Sequence, residues 1–268
     1  MTILYSLYTG EGIVFAADRL ITKAAAQGTR EFVSTNDPKV FRAPGVGAHN
    51  QGALISYFGQ AYVGSQPMAV WLRNKIVGYP GSPTLQNFAQ HVTDSFRAEA
   101  GPVQRKQMLG FHMGGYELHG NQRKPVFYFA RNAEINEVTG GYSLLHQDAS
   151  FDIDEQFLVN CGPASSQQIR SMLRSAAKNN LGIPAWYRNG DVRAFANVTG
   201  ALEAGIRGLV TQMPGYKVPN SLQKWAALAG LFISAPSATA QIYFSKGTPS
   251  IGGGVDVISL PWQDVPAG

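Results

Sequence analysis

The sequence predicts an α+β fold, a four-layer αββα sandwich in which two antiparallel sheets are flanked by helices. Strand-forming runs and helix pairs follow one another in the order strands, two helices, strands, two helices, strands. This segregation is typical of antiparallel sheets with helices packed outside, whereas a parallel sheet alternates strand and helix. The 268 residues include 44% hydrophobic and 15% charged residues, which excludes an intrinsically disordered chain. We expect a single domain over residues 1–268, with a short irregular tail from about residue 261.

The strands are predicted from short runs rich in β-branched and aromatic residues. Residues 3–8 and 13–17 are two such runs, and the glycine-containing segment 9–12 between them predicts a β-hairpin. Further strands are expected at residues 39–42, 53–58, 108–114, 125–131, 157–160, 240–244 and 255–260.

The helices are predicted from apolar spacing and from capping residues. The first pair comprises residues 66–77 and a helix capped by Ser82, with Pro83 at its first position. Its apolar stripe has helical spacing and consists of Leu85, Phe88, Ala89, Val92 and Phe96. The first helix of the second pair begins after residues 162–163. Asp191 is the predicted cap of the second helix, which ends before residues 214–215.

Composition and charge exclude several classes of function. The net charge of +5 comes without a run of five basic residues, so we expect no nucleic-acid partner. A single cysteine, Cys161, excludes an internal disulfide, and the five histidines lack metal-site spacing, so we expect no metal or organic cofactor. The apolar stretch 225–240 is too short and too polar for a membrane span, and residues 1–15 lack a cationic start. We therefore expect a cytoplasmic protein.

Thr2 is the first candidate for catalysis. We expect Met1 to be removed before so small a residue, which leaves Thr2 with both a hydroxyl and a free α-amine. A hydroxyl needs an adjacent base to act as a nucleophile at neutral pH. An α-amine titrates near pH 8, so one residue can supply both the nucleophile and the proton acceptor.

The context of Thr2 resembles the proteasome β-type peptidases, which are N-terminal nucleophile hydrolases. The resemblance runs in order along nearly the whole chain and is closest to the bacterial proteasome-related proteins HslV, Anbu and BPH. The matching segments after Thr2 are Val14-Phe15-Ala16-Ala17-Asp18-Arg19, Lys39-Val40-Phe41, Phe58-Gly59-Gln60-Ala61, Gly114-Gly115 with 125–131, Asn160-Cys161-Gly162 and Gly252-Gly253-Gly254-Val255-Asp256-Val257.

The resemblance implies a role for each matching residue. Thr2 matches the nucleophile, Asp18 the acid that orients the site, and Lys39 the lysine beside the nucleophile. An ammonium near Thr2 would lower the pKa of its hydroxyl and amine. Ser56 falls where the family holds the oxyanion with a backbone N–H. The positions that match the first specificity pocket predict an apolar preference and are Ile21, Phe41, Leu54 and Phe58.

The chain departs from the family at two supporting positions. The supporting serine before the third helix aligns with Pro163, and Ser165 or Ser166 could replace it from a shifted loop. The late Asp-x-x-Ser support is also missing, since the matching stretch reads Thr248-Pro249-Ser250-Ile251. These departures leave Thr2, Asp18 and Lys39 in place but leave the surrounding hydrogen-bond support open, so catalysis could be slow or highly selective.

The sequence therefore favours a threonine-type endopeptidase that acts on peptides or unfolded proteins. The resemblance implies a homo-oligomeric ring or stacked rings, and it leaves open an ATP-dependent unfoldase partner. Two alternatives remain, a catalytically silent ring scaffold and an N-terminal nucleophile amidase acting on a small amide. The helical row Arg170, Arg174 and Lys178 is interpreted as a solvated face, or as a contact to acidic residues of a neighbouring subunit.

Overall fold

The computed structural model describes residues 2–24, 30–47, 52–81, 84–135, 142–146, 150–155, 164–179, 185–190, 195–243 and 251–262. It shows a mixed α/β architecture with antiparallel sheets. The chain forms two compact units. The first unit contains Met1–Pro38 and Gln167–Trp262, and the second contains Lys39–Ser166.

The strands and helices are numbered in chain order. The strands are β1 (Ile3–Thr9), β2 (Gly12–Asp18), β3 (Ile21–Ala24), β4 (Arg30–Ser34), β5 (Val40–Ala43), β6 (Ala53–Phe58), β7 (Tyr62–Val63), β8 (Gln66–Pro67), β9 (Gly110–His119), β10 (Gln122–Arg131), β11 (Ala133–Ile135), β12 (Tyr142–Leu144), β13 (Asp152–Glu155), β14 (Ala185–Gly190) and β15 (Val255–Pro261). The α-helices are α1 (Met68–Val77), α2 (Leu85–Glu99), α3 (Ser166–Asn179), α4 (Gly200–Gln212) and α5 (Leu222–Tyr243). A 3-10 turn spans Gln104–Lys106, and a π-helical turn at Phe195–Thr199 leads into α4.

The first unit is built on a four-stranded antiparallel sheet in the order β14-β1-β2-β15. The predicted hairpin is confirmed, with Leu4 opposite Ala17 and Thr9 opposite Gly12. All residues of β1 and β2 are buried, so both faces of these two central strands are covered. Helix α5 packs on one face, where Phe232 stacks on Tyr5 with ring centroids 5.6 Å apart.

Helix α5 overturns the strand predicted at residues 240–244. Residues 240–243 are the last turn of α5, and residue 244 lies outside the described residues. The helix continues past Pro236, and beyond it Ala240 still packs against the sheet core. Burial of that face outweighs the local β-propensity of residues 240–243. Strand β14, which pairs with β1, is absent from the sequence prediction.

The second unit is built on a five-stranded antiparallel sheet in the order β13-β10-β9-β6-β5. Helices α1 and α2 contribute Trp71 and Phe96 to a core on one face of this sheet. The same core contains alternate residues of the strands, among them Phe41, Ile55 and Tyr57. The alternation places Leu54, Ser56 and Phe58 on the opposite face, because successive side chains of a strand point to opposite sides.

The helix boundaries refine the sequence predictions. Helix α2 begins at Leu85, and Thr84 caps it, its hydroxyl accepting a hydrogen bond from Asn87 N at 3.4 Å. The predicted cap at Ser82, with Pro83 as the first helical residue, is therefore wrong, although these two residues themselves lie outside the described residues. The strand predicted at 157–160, Cys161 and Asp191 also lie outside them. In the part of the chain that the structure describes, no helix is both long and apolar enough to cross a membrane.

Candidate active site around Thr2

Thr2 directly precedes β1, and Asp18 ends the neighbouring strand β2, so the hairpin brings the two residues to one corner of the first unit. The Asp18 side chain is fully buried, and Thr2 is buried as well. The Asp18 carboxylate accepts a hydrogen bond from the Ile3 N–H at 2.9 Å. This bond holds the backbone next to Thr2. The structure thus brings together Thr2 and Asp18, two of the three residues predicted to be catalytic.

A glycine segment, residues 252–254, completes this corner. The Gly252 N–H donates to the second carboxylate oxygen of Asp18 at 3.2 Å. Hydrogen bonds from backbone donors offset the cost of burying a carboxylate, and each is worth about 1.5–3 kcal/mol when the acceptor is charged. The contact joins residues 234 positions apart in sequence, so no local pattern could have predicted it.

Arg19 links the same glycine segment to β15. Its backbone N–H donates to Gly254 O at 2.9 Å, and its Nε lies 2.6 Å from Asp256 Oδ1. The Leu20 N–H donates to Gly252 O at 3.0 Å. These bonds fix the glycine segment against the end of β2. Sequence reasoning missed Arg19 and Asp256 as positioning residues, although both occur in the motifs that carry the family resemblance.

Lys39 is the third residue predicted to be catalytic, and it precedes β5 in the second unit. Its side chain is fully buried, which is rare for lysine because an ammonium group loses its hydration on burial. Its backbone O accepts a hydrogen bond from Tyr57 N at 3.3 Å, which extends the pairing of β5 with β6. A buried lysine at this position is compatible with a chemical role, and its placement beside Thr2 stays a prediction.

Ser56, the predicted oxyanion donor, lies in the middle of β6. The bond from Tyr57 N to Lys39 O directs the N–H groups of alternate β6 residues toward β5, so the Ser56 N–H points toward β9. The bond from Asn132 N to Leu109 O directs the backbone groups of every second β9 residue, counted from Leu109, toward β10. The backbone groups of His112, which lies opposite Ser56, are therefore directed toward β6. The Ser56 N–H therefore belongs to the sheet, and holding an oxyanion would require it to leave His112.

The residues of the predicted specificity pocket belong to both units and, within the second, to both faces of its sheet. Ile21 begins β3 in the first unit. Within the second unit, Phe41 belongs to the core beneath α1 and α2, whereas Leu54 and Phe58 lie on the opposite face of the sheet. The Phe58 ring packs over Gly110, where an added Cβ would lie 2.4 Å from the ring. The second unit therefore does not bring Phe41 together with Leu54 and Phe58.

The candidate supporting serines have separate outcomes. Ser166 begins α3, and its hydroxyl donates to the backbone oxygen of Arg123. That bond ties the start of α3 to β10 and occupies the Ser166 proton. Ser165 is half-buried beside it, and Ser250 lies outside the described residues.

The motif at residues 58–61 has a structural explanation of its own. Gly59 adopts a φ of 103°, and a Cβ there would lie 2.1 Å from Met108 O, so the turn requires glycine. Gln60 follows, and its amide donates to Gln104 O at 2.5 Å. This residue anchors the 3-10 turn where the family pattern has an acid.

The basic row on α3 is engaged within the first unit. Arg174 makes two hydrogen bonds to the Glu11 carboxylate, at 2.8 and 3.1 Å. Arg170 donates to Gly10 O at 2.8 Å and lies over the Trp262 ring. These contacts tie α3 to the turn of the β1–β2 hairpin, so Arg170 and Arg174 are neither a purely solvated face nor unpaired charges awaiting a neighbouring subunit.

Comparisons with known proteins give a remote likeness. No family model and no curated protein matches the chain. A solved structure that matches is the Anbu (Gly-1) mutant from Hyphomicrobium sp. strain MC1, with 16% identity. The match covers 81% of this chain and 100% of that chain, with a TM-score of 0.31. At this TM-score the likeness supports no transfer of residues or activity.

Proposed function

We propose that this protein is a threonine-type endopeptidase of the proteasome β superfamily, with Thr2 as its N-terminal nucleophile after removal of Met1. The observation that carries the proposal is the hydrogen bond from Ile3 N to the buried Asp18 carboxylate. The bond fixes the backbone next to Thr2 against the Asp18 carboxylate. Thr2 and Asp18 both belong to the motifs that resemble that superfamily.

The proposed reaction needs only the chain and water. The Thr2 hydroxyl oxygen attacks the peptide carbonyl carbon while the Thr2 amine takes the hydroxyl proton. The carbon–nitrogen bond then breaks, and the amine passes that proton to the leaving amine of the product. Water attacks the resulting ester, the amine accepts a proton from water, and the hydroxyl of Thr2 is restored as the acid product leaves.

The remaining roles belong to the same proposal. Lys39 lowers the pKa of the Thr2 hydroxyl and amine. The Ser56 backbone N–H stabilises the oxyanion once it is released from its pairing with His112. The proposed fold is a single αββα domain. It is supported by a sheet in each unit with helices on one face, and by the strands β1, β2 and β6, which are buried at every residue.

A specific observation favours a second candidate, a catalytically silent scaffold of the same fold. The Ser166 hydroxyl is bonded to Arg123 O, and the Ser56 N–H lies in the β6–β9 pairing, so two supporting groups are already engaged. The two candidates differ in whether Thr2 turns over a peptide. In either one we propose a cytoplasmic homo-oligomeric ring, which the molar mass from size-exclusion chromatography with light scattering would test. The amidase alternative predicts a monomer or dimer in the same measurement.

Hydrolysis of fluorogenic peptides with an apolar residue before the cut bond tests the proposal. We expect Thr2→Ala to lower kcat/KM by at least about 1,000-fold and Thr2→Ser to retain measurable turnover. Lys39→Met should also abolish turnover, while Lys75→Met on α1 serves as a control for loss of a lysine. Equal activity of the wild type and Thr2→Ala would contradict the proposal.

A further inference from the structure

A cleft of about 410 Å³ opens beside the Thr2–Asp18 corner and lies entirely within the first unit. One wall is the glycine segment 252–254, and the other is the β4 region. The remaining lining residues are Leu20, Phe32, Thr35, Asn36 and Gln241. Its volume falls in the range of about 300–1,000 Å³ that small-ligand sites occupy.

The cleft is linked to the candidate nucleophile by two consecutive hydrogen bonds. Gly252 lines the cleft and donates to Asp18, and Asp18 accepts from the Ile3 N–H next to Thr2. The wall of the cleft at Gly252 is therefore held by the same carboxylate that fixes the backbone next to Thr2.

The walls of the cleft favour an uncharged peptide. Among the described residues, no charged side chain lines it. The amides of Asn36 and Gln241 each donate and accept hydrogen bonds, as peptide groups do. Leu20 and Phe32 are the large apolar residues that line the cleft. The Phe32 side chain is 55% exposed. Exposed aromatic rings of this kind are the usual anchors of binding sites.

The glycines allow the segment 252–254 to pack closely against the residues beside it. Gly253 adopts a φ of 74°, and an added Cβ would lie 3.0 Å from Thr35 O. A Cβ on Gly252 would lie 2.8 Å from Gln241 Nε2. Side chains at these positions would therefore collide with Gln241 and Thr35. Glycine is thus required for this wall of the cleft to pass so close to the two residues.

We propose that this cleft is a substrate subsite that binds a neutral, aromatic-containing segment of an extended peptide. The proposal rests on the proposed peptidase function and adds a selectivity that is separate from the pocket predicted around Leu54 and Phe58. It assigns aromatic recognition to Phe32 and hydrogen bonds with the peptide backbone to Asn36 and Gln241.

Peptide binding to the full-length Thr2→Ala protein tests the subsite without turnover. The probes are fluorescein-labelled alanine hexapeptides that carry one phenylalanine, aspartate or lysine, followed by fluorescence anisotropy. We expect the phenylalanine peptide to bind most tightly and Phe32→Ala to weaken it about 5–10-fold. Tyr216→Ala is the matched control, since Tyr216 is 52% exposed and lies outside the cleft.

A second substitution keeps the test independent of the aromatic ring. Gln241→Glu should weaken the aspartate peptide and strengthen the lysine peptide, whereas Gln212→Glu on α4 should do neither. Equal affinities in Phe32→Ala and Tyr216→Ala would overturn the subsite, even if Thr2 proves reactive. Phe32-dependent binding without any reaction at Thr2 would support the cleft and overturn the peptidase.

Discussion

Asp18 in the first unit and His112 in the second are both fully buried on central strands, yet their surroundings differ. Backbone N–H groups of Ile3 and Gly252 point at the Asp18 carboxylate. His112 instead lies among the rings of Phe58, Phe127 and Phe129, with centroids 6.3, 5.1 and 5.3 Å away. The first environment accommodates a charge and the second excludes one. Burial alone therefore does not identify a chemical site, whereas the groups that face the buried atom do.

The largest expected effect comes from the pH dependence of His112. Burial lowers the pKa of His112 to about 3 from an ordinary value of 6.5. The unfolded chain takes up a proton below pH 6.5 while the folded protein stays neutral, so stability falls with falling pH down to pH 3. Between pH 7 and 4.5 this should remove about 3 kcal/mol from the free energy of unfolding. Urea unfolding of the wild type and His112→Phe at both pH values measures it.

The control for His112 is His119→Gln, because the His119 side chain is partly exposed. This variant removes the contact with Glu117 but should keep the fall in stability that His112 causes between pH 7 and 4.5, whereas His112→Phe should lose it. Parallel stability curves for the wild type and His112→Phe would show that His112 is not held neutral by its aromatic neighbours.

The next effect concerns Asp18. In Asp18→Asn one oxygen can still accept a hydrogen bond, but the new NH2 group faces a backbone donor and leaves it unsatisfied. We expect a loss of about 1–3 kcal/mol in the free energy of unfolding, together with a fall of at least about 100-fold in kcat/KM. Asp94→Asn on α2 is the surface control. A fully active and stable Asp18→Asn would remove the distinction drawn between Asp18 and His112.

Glu117 has an intermediate environment and a smaller effect. Burial raises the pKa of its carboxyl group, although the Leu85 N–H at the start of α2 donates to it at 2.5 Å. The folded protein therefore holds this proton to higher pH than the unfolded chain, and stability falls as the pH rises through the Glu117 pKa. Glu117→Gln keeps the acceptor for α2 and should flatten this part of the stability curve. Thermal unfolding from pH 4 to 8 would detect it, and an unchanged slope would contradict it.

The smallest effect is expected at Arg174, whose ion pair with Glu11 is partly exposed on both sides. Exposed pairs of this kind contribute about 0.2–1 kcal/mol. Arg174→Ala should therefore lower the free energy of unfolding by less than about 1 kcal/mol and reduce activity little. Arg207→Ala on α4 serves as its control. A large loss of activity in Arg174→Ala alone would show that the hairpin turn influences the Thr2 corner.

Local patterns predicted the β1–β2 hairpin and the apolar stripe of α2, because both follow from residue spacing within one element. They failed for residues 240–243, where packing of α5 on the sheet outweighs β-propensity, and for β14, whose pairing with β1 is long-range. The motif around Asp18 indicated the acid, but its second donor, Gly252, is distant in sequence. The pocket prediction grouped Phe41 with Leu54, which lie on opposite faces of the second sheet. A resemblance of motifs does not show which face of a strand a residue occupies.

The intact mass of the purified protein, measured before and after treatment with a β-lactone probe of N-terminal threonines, tests the central claim most directly. We predict a mass that lacks one methionine and a single stoichiometric adduct, with no adduct in Thr2→Ala. A protein that has lost methionine but forms no adduct, or an adduct that persists in Thr2→Ala, would contradict Thr2 as the nucleophile.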